Sequence, residues 1–347
     1  MVFLNKEGPY GGSLSRRGQK SRSLLLALLF WLLPLSSAPA QPVVIEDDLG
    51  RNIVFAAPAR RIVVLSDLGA QLVTALKAED LVVGRARWVD WPSAIAARPH
   101  LGLQSQPNLE LLLRWEPDLV IADAHFRQAL PLLETYRLPA VIFQGRDLPQ
   151  LKHAVASLSL ILARPREGER LLTFISSIEN MLRQGLEGKS TLKTLMLFCA
   201  KGPPYYDMLH LQPLFYRAGI TSLLENIETK SMSGVINPEW LLRTDAPLNI
   251  LVEWRPEGSG ADPSGNIELE RPELAELAAR DGLKIMGSRW GFNLASLAGL
   301  MGVNAWAHPE ETTVRPLREE YWRRLEKEFL GEALFREFFA DAPSGDD

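Results

Sequence analysis

The stretch "NLELLLRWEPDLV", Asn108–Val120, joins the start of a helix to the start of a buried strand. Asn108 is a typical helix cap, because its side chain accepts from the free backbone N–H groups of the first turn. Glu110 follows in that turn, where the helix dipole favours a negative charge. A second stretch of the same pattern, "NPEWLLRTDAPLN", spans Asn237–Asn249. The chain therefore carries one helix-to-strand element twice.

The two copies share charged positions as well as apolar ones. Glu110 aligns with Glu239, and Arg114 aligns with Arg243. Capping and the helix dipole explain each carboxylate separately, and an ancestral duplication would explain why the element is repeated.

Short apolar runs alternate with helical patterns on both sides of each copy. The chain opens with "VVIEDDLGRNIVF", where two β-branched runs flank a turn and predict a β-hairpin. Strand-like runs before the long middle segment are "RIVVL", "LVVG", "PDLVIAD" and "PAVIFQG", and those after it are "TLKTLMLFCA", "LNILVEW" and "LKIMG". Such alternation is typical of parallel sheets covered on both faces. We therefore predict an α/β fold of two Rossmann-like lobes.

The middle segment keeps helical spacing of apolar residues over 148–188, with a bend expected at Pro165. We interpret it as a single long helix that joins the lobes. The predicted organisation is a leader over 1–40, an N-terminal lobe over 41–147, the linking helix over 148–188 and a C-terminal lobe over 189–347.

The leader has the three parts of a secretory signal peptide. Basic "SRRGQKSRS" precedes the apolar "LLLALLFWLLPL", and "APA" follows with small residues at a cleavage site. The apolar run is shorter than the roughly 20 residues that span a bilayer. We expect export to a bacterial periplasm, with the general or the twin-arginine route left open. The net charge of −4 gives no sign of nucleic-acid binding, and the lone Cys199 cannot form an internal disulfide.

The order of these segments resembles the periplasmic binding proteins of ABC importers for iron–siderophore, haem and vitamin B12. The resemblance rests mainly on "NLELLLRWEPDLVI", its echo "NPEWLL", the "DLGR" hairpin and the long helix. It implies a monomeric solute-binding protein with no cofactor and no enzymatic activity. Its ligand would be a metal chelate held between the lobes, and its partner would be the permease dimer of the inner membrane. In that family one glutamate of each lobe meets an arginine of the permease, which implies this docking role for Glu110 and Glu239.

Ligand contacts are expected just after the strands, because ligands of open parallel sheets bind beyond the carboxyl ends of the strands. Aromatic side chains there could wall a macrocycle or an aryl chelate, and arginines could meet carboxylate or catecholate oxygens. The candidates are Trp88, Trp91, His125, Arg146, Tyr205, Tyr206, Trp254, Arg255, Arg289 and Trp290.

Other ligands and activities stay open from the sequence. A zinc- or manganese-binding transport protein is one alternative, although the five histidines form no rich cluster. In haem-binding relatives a tyrosine or histidine ligates the iron, and Tyr205, Tyr206 or His125 could do so here. A chelatase-like enzyme shares the two-lobed plan, but the sequence has no Gly-x-Ser-x-Gly motif and no phosphate loop. The sequence does not decide which chelate is bound.

Overall fold

Two sheets with parallel cores organise the chain. The computed structural model describes residues 42–103, 107–199, 205–207, 212–223, 235–236, 239, 243, 249–254, 276, 283–288, 293–310, 312 and 314–331. Within them the strands form a two-stranded hairpin, a four-stranded sheet and a six-stranded sheet. The predicted α/β class with parallel sheets is confirmed.

The hairpin pairs β1 (Val43–Glu46) with β2 (Asn52–Phe55) in antiparallel register. Asp47 closes the turn, because its carboxylate accepts from two backbone N–H groups of the turn and from the guanidinium of Arg51. The same guanidinium donates to the carbonyl oxygen of Ala140 at 2.9 Å. The "DDLGR" sequence therefore builds the turn and also fixes the hairpin to the first sheet.

The first sheet contains four parallel strands in the order β4-β3-β5-β6. These are β3 (Ile62–Val64), β4 (Val82–Arg85), β5 (Leu119–Ala122) and β6 (Ala140–Ile142). Every residue of β3, β5 and β6 is buried, as expected for strands that are covered on both faces. The helices between them are α1 (Asp67–Ala75), α2 (Ser93–Ala96), α3 (Leu109–Arg114) and α4 (Leu130–Thr135), with 3-10 turns at Glu79–Leu81 and Ala124–Ala129.

The middle segment is two helices, so the prediction of a single helix over 148–188 is wrong. They are α5 (Leu148–Ile161) and α6 (Pro165–Gly185). Lys152 Nζ lies 2.6 Å from Glu179 Oε2, although 27 residues of one straight helix would span about 40 Å. The two helices therefore fold back on each other as an antiparallel hairpin.

A Schellman motif ends α5, and the sequence hides it. The N–H of Arg164 donates to the carbonyl oxygen of Ser159 at 2.8 Å, and that of Ala163 donates to Leu160 at 3.2 Å. Ala163 takes the left-handed conformation, with φ of 52°, at a position that usually holds glycine. Pro165 then starts α6, where its missing N–H costs nothing. The proline therefore starts a new helix and does not bend an old one.

The second sheet has a parallel core with an antiparallel side. Strands β7 (Leu192–Cys199), β11 (Asn249–Trp254) and β12 (Leu283–Ser288) are parallel, in the order β7-β11-β12. The remaining elements are β8 (Tyr205–Asp207), β9 (Ile220–Ser222), β10 (Val235–Ile236), α7 (Gln212–Arg217), α8 (Leu294–Ala307), α9 (Arg315–Arg324) and a π-helical turn at Leu325–Leu330. The strand β9 follows α7 closely in the chain and pairs in parallel with β7.

Glu179 of α6 connects helices of both lobes. Its carboxylate pairs with Lys152 of α5, beside the first sheet, and with Arg217 of α7, beside the second. Burial acts to raise the pKa of Glu179, but the two cations outweigh it and hold that pKa below its ordinary value. This triad closes the helix hairpin and ties it to α7.

Residues 1–40, the predicted signal peptide, lie outside the described residues, so that interpretation stays a prediction, as do the lobe boundaries. In the part of the chain that the structure describes, no helix is both long and apolar enough to cross a bilayer.

We predict that Ala163→Gly stabilises the protein. Glycine removes about 1–2 kcal/mol of strain from the left-handed conformation. It also makes the unfolded chain more flexible, which offsets that gain by up to about 1 kcal/mol. The free energy of unfolding should therefore rise by roughly 0.5–1 kcal/mol, measured by urea denaturation. Ala163→Val, whose branched side chain tolerates this backbone poorly, is the control and should destabilise. A loss of stability in Ala163→Gly would contradict the Schellman assignment.

Candidate functional site

The carboxyl ends of the first sheet gather at one edge, because all four strands are parallel. The loop after each strand contributes side chains there, and we call this region the first carboxyl edge. It contains Asp67 after β3, Trp88 after β4, His125 after β5 and Arg146 after β6.

Trp88 presents a flat apolar surface at this edge. Trp88 is 54% exposed to solvent. The guanidinium of Arg87 lies 5.7 Å from the centroid of its ring. The structure places Trp91 differently from the sequence-based prediction, since its residue is 2% exposed and packs in the hydrophobic core. Trp91 therefore packs in the core beneath the loop that carries Trp88.

His125 stands at the same edge beside Asp123. Oδ1 of Asp123 accepts from the backbone N–H of His125 at 2.9 Å and lies 3.0 Å from the imidazole Nδ1. The side-chain hydrogen bond between His125 and Asp123 is the main reason that the pKa of the His125 imidazole is raised above its ordinary value. Burial has a smaller, opposing effect on this pKa. The ring is largely exposed and directed by Asp123, so it can donate a hydrogen bond to an acceptor above the edge.

Arg146 is held in place by a chain of polar contacts. Its Nη2 donates to Gln144 Oε1 at 2.7 Å, and the backbone N–H of Gln144 donates to Asp48 Oδ2 at 2.6 Å. Burial raises the pKa of the Asp48 carboxyl. The hairpin turn therefore orders the loop after β6, and that loop positions an exposed guanidinium.

The second sheet has its own carboxyl edge, formed by the ends of β7, β11 and β12. Trp254 is the last residue of β11, and Tyr206 of β8 pairs with Phe198 near the end of β7. Tyr205 and Tyr206 thus lie at this edge by their backbone positions. Arg255, Arg289 and Trp290 directly follow strand ends in the sequence but lie outside the described residues.

A partly buried hydrogen bond joins α1, the helix after β3, to α8, the helix after β12. Gln71 in α1, just after the first carboxyl edge, is 0% exposed, and its Oε1 accepts from the N–H of Ala295 at 3.0 Å. Ala295 lies in the first turn of α8, which follows β12 and is capped by Asn293. Sequence reasoning missed Gln71, although a polar residue on the apolar face of "GAQLVTAL" is the kind of signal that would have found it.

A site for a metal ion held by protein side chains alone would need several such ligands close together. Among the residues that the structure describes, no group of three or more His, Cys, Asp and Glu side chains is arranged to hold a metal ion.

Glu110 lies beside the first carboxyl edge. The N–H of Asn108, the cap of α3, donates to the carbonyl oxygen of Leu101 at 2.8 Å, and the N–H of Leu101 donates to Arg85 at the end of β4. The first turn of α3 is therefore tied to the carboxyl end of a strand. The Glu110 side chain is 83% exposed, and Glu239 and Arg243 of the second copy are also helical and exposed.

The short helix α3 is anchored at both ends and on its inner face. Asn108 Oδ1 accepts from the N–H of Leu111 at 2.9 Å, while Arg61 donates to the carbonyl oxygen of Trp115 at 2.7 Å. Trp115 packs directly on Gly84, where an added Cβ would lie 1.9 Å from Cζ3 of the ring. Glu110 thus stands on a rigid element although its own side chain is in water.

Comparison with known proteins finds similar sequences and folds. A family model described as "Periplasmic binding protein" matches residues 62–280. The achromobactin-binding periplasmic protein of Dickeya dadantii (strain 3937) is 31% identical over 96 residues, which is 28% of this chain and 31% of that relative. The match thus spans about a third of the relative's length.

Solved structures share the fold at low sequence identity. The TroA-like periplasmic binding protein FepB from Veillonella parvula has a TM-score of 0.68 at 15% identity, covering 84% of this chain and 97% of that one. A periplasmic heme binding protein from Pseudomonas aeruginosa has a TM-score of 0.59 at 18% identity, covering 73% of this chain and 94% of that one.

We predict that Gly84→Ala disturbs the anchoring of α3. The new methyl group would overlap the ring of Trp115, so the free energy of unfolding should fall by about 1–3 kcal/mol in urea denaturation. In a Trp115→Leu background the smaller side chain leaves room, and the cost of Gly84→Ala should shrink. Equal costs in the two backgrounds would contradict the contact.

Proposed function

Because the chain belongs to the periplasmic binding protein family, we propose that it captures a metal chelate and delivers it to the permease of an ABC importer. The chelate would be a ferric siderophore, haem or a corrinoid. The observation that supports the proposal is the hydrogen bond between Gln71 and Ala295, which joins the helix after β3 to the helix after β12. Ligands of open α/β sheets bind beyond the carboxyl ends of the strands, so two such edges offer two walls of one site.

The side chains of the first carboxyl edge suit a large, flat and partly anionic ligand. Trp88 offers an aromatic surface, and His125 and Arg146 offer hydrogen-bond donors on ordered loops. A guanidinium binds carboxylate and catecholate oxygens through two parallel hydrogen bonds. On the second edge Tyr205, Tyr206 and Trp254 would complete the wall, and Arg255, Arg289 and Trp290 stay predicted contacts.

The named relative favours a siderophore as the first ligand to test. It is an achromobactin-binding periplasmic protein, and its sequence match to this chain is local. Proteins of this family carry solutes. We propose the same role for this chain in the periplasm, as a monomer that binds and releases its ligand without chemical change.

We expect Trp88→Ala to weaken ligand binding about tenfold, or ~1.4 kcal/mol, through loss of the aromatic contact. Ferric achromobactin, haem and cobalamin would be titrated separately, with quenching of tryptophan fluorescence as the measurement. Tyr136→Ala is the matched control, because Tyr136 is exposed but precedes β6 at the opposite edge of the sheet. Quenching by none of the three compounds would count against the chelate-binding proposal, and equal affinities of the two variants would count against Trp88.

Delivery would use Glu110 and Glu239 as docking carboxylates. A permease made of two equal halves presents one basic pocket twice, and the repeated element places one exposed acid in each lobe. Each exposed ion pair is worth only about 0–1 kcal/mol, but two pairs engaged together reinforce each other.

The double substitution Glu110→Ala, Glu239→Ala should abolish ligand uptake by cells and leave ligand affinity unchanged. Its matched control is Glu169→Ala, Glu187→Ala, which removes two exposed acids from α6 and the turn after it. Uptake would be followed with radioactive iron supplied as the chelate. Normal uptake by the first double variant would refute the docking role.

A further inference from the structure

The repeated element carries an arginine four residues after each proposed docking glutamate. In α3, Nη2 of Arg114 donates to Oε1 of Glu110 at 3.0 Å. Both side chains remain in water, with 70% of Arg114 and 83% of Glu110 exposed. The first copy therefore presents more than a lone carboxylate.

The second copy keeps the same spacing. Glu239 and Arg243 are each helical and exposed, and a spacing of four residues is one at which a glutamate and an arginine can pair on a helix. The residues between and before them differ, since "NLELLLR" in the first copy stands against "NPEWLLR" in the second. The acid and the arginine are thus repeated together.

We propose that each lobe docks through a Glu–Arg pair, and that the partner surface of the permease carries the complementary pair. A basic side chain of the permease would face Glu110, and an acidic one would face Arg114. The second lobe would meet the other permease half in the same way through Glu239 and Arg243. This inference rests on the docking role proposed above and adds the charge pattern of the partner.

The electrostatics of a neutral pair favour this partner over a lone cation. A cation that approaches Glu110 also comes within a few ångströms of the Arg114 guanidinium, and in water the attraction and the repulsion are of similar size, each about 1 kcal/mol at 4 Å. A partner with both charges makes two attractive contacts. Arg114 engages Oε1 of Glu110, and a carboxylate accepts hydrogen bonds at both oxygens, so a second donor can still bind there.

The anchoring of α3 holds the two charges at a fixed spacing, which a partner surface can recognise. Its cap, its buried Leu112 and the packing of Trp115 on Gly84 fix the backbone under both charges. The arginine also hinders a basic pocket that lacks the matching acid, which would select against other permeases. A simpler account is that the pair only stabilises a short helix, because Glu placed four residues before Arg is the favourable order.

The test measures binding of purified protein to inner-membrane vesicles of the producing bacterium, periplasmic face outward. Protein-free liposomes of the same lipids are the blank. The variant Arg114→Met, Arg243→Met keeps a long apolar stem and a good helix former but removes both cations. Complementary pairing predicts binding about five- to thirtyfold weaker, from two exposed ion pairs lost together. Arg114→Lys, Arg243→Lys retains the charges and should recover part of that loss.

The other outcomes overturn the inference in distinguishable ways. Unchanged binding with slightly lower thermal stability would mean that the arginines only support their helices. Tighter binding would mean that they compete with a lone permease cation for the glutamates. Glu110→Gln, Glu239→Gln is measured alongside: if it binds as wild type does, the docking role itself fails. If it binds weakly while the methionine variant does not, only the paired pattern fails.

Discussion

Parallel pairing of fully buried strands is the constraint on which the architecture depends. β3 and β5 pair side by side with every residue buried, and such strands can be connected only through crossovers that cover the sheet. The crossovers bring each chain segment back to the same end, so all loops after the strands meet at one edge. Trp88, His125 and Arg146 are far apart in sequence and share that edge for this reason alone.

The relation between the two sheets is fixed by contacts on several elements. The Gln71–Ala295 hydrogen bond ties α1 to the start of α8, and the Lys152–Glu179–Arg217 triad ties α5, α6 and α7. Phe174 of α6 stacks on Phe329 of the π-helical turn at a centroid distance of 4.6 Å. Because these ties use different parts of the fold, large changes in the angle between the sheets would have to break several of them together. Capture of a ligand is thus expected to involve small motions of side chains and loops.

The position of α3, the proposed docking element, follows from the same sheet. The helix α3 begins beside the carboxyl end of β4 and ends just before β5, so its first turn lies near the proposed ligand site. An exposed charge on a short helix would ordinarily be poorly fixed. Here the helix is held by Arg61, Leu112 and Trp115. The backbone therefore fixes where the charges lie, without strong contacts to the charged groups themselves.

The sequence by itself determined the alternation of strands and helices, the hairpin, the repeated element and the residues that follow each strand. These depend on local pattern, because burial on two faces demands continuous apolar runs and caps demand particular side chains. The end of α5 could not be predicted from the sequence, because Ala163 adopts a left-handed conformation that glycine usually takes. Only the tertiary structure decided that 148–188 folds back on itself, that Trp91 is in the core and that Gln71 accepts from the N–H of Ala295. Those outcomes depend on which distant surfaces pack together, and no local sequence pattern encodes that choice.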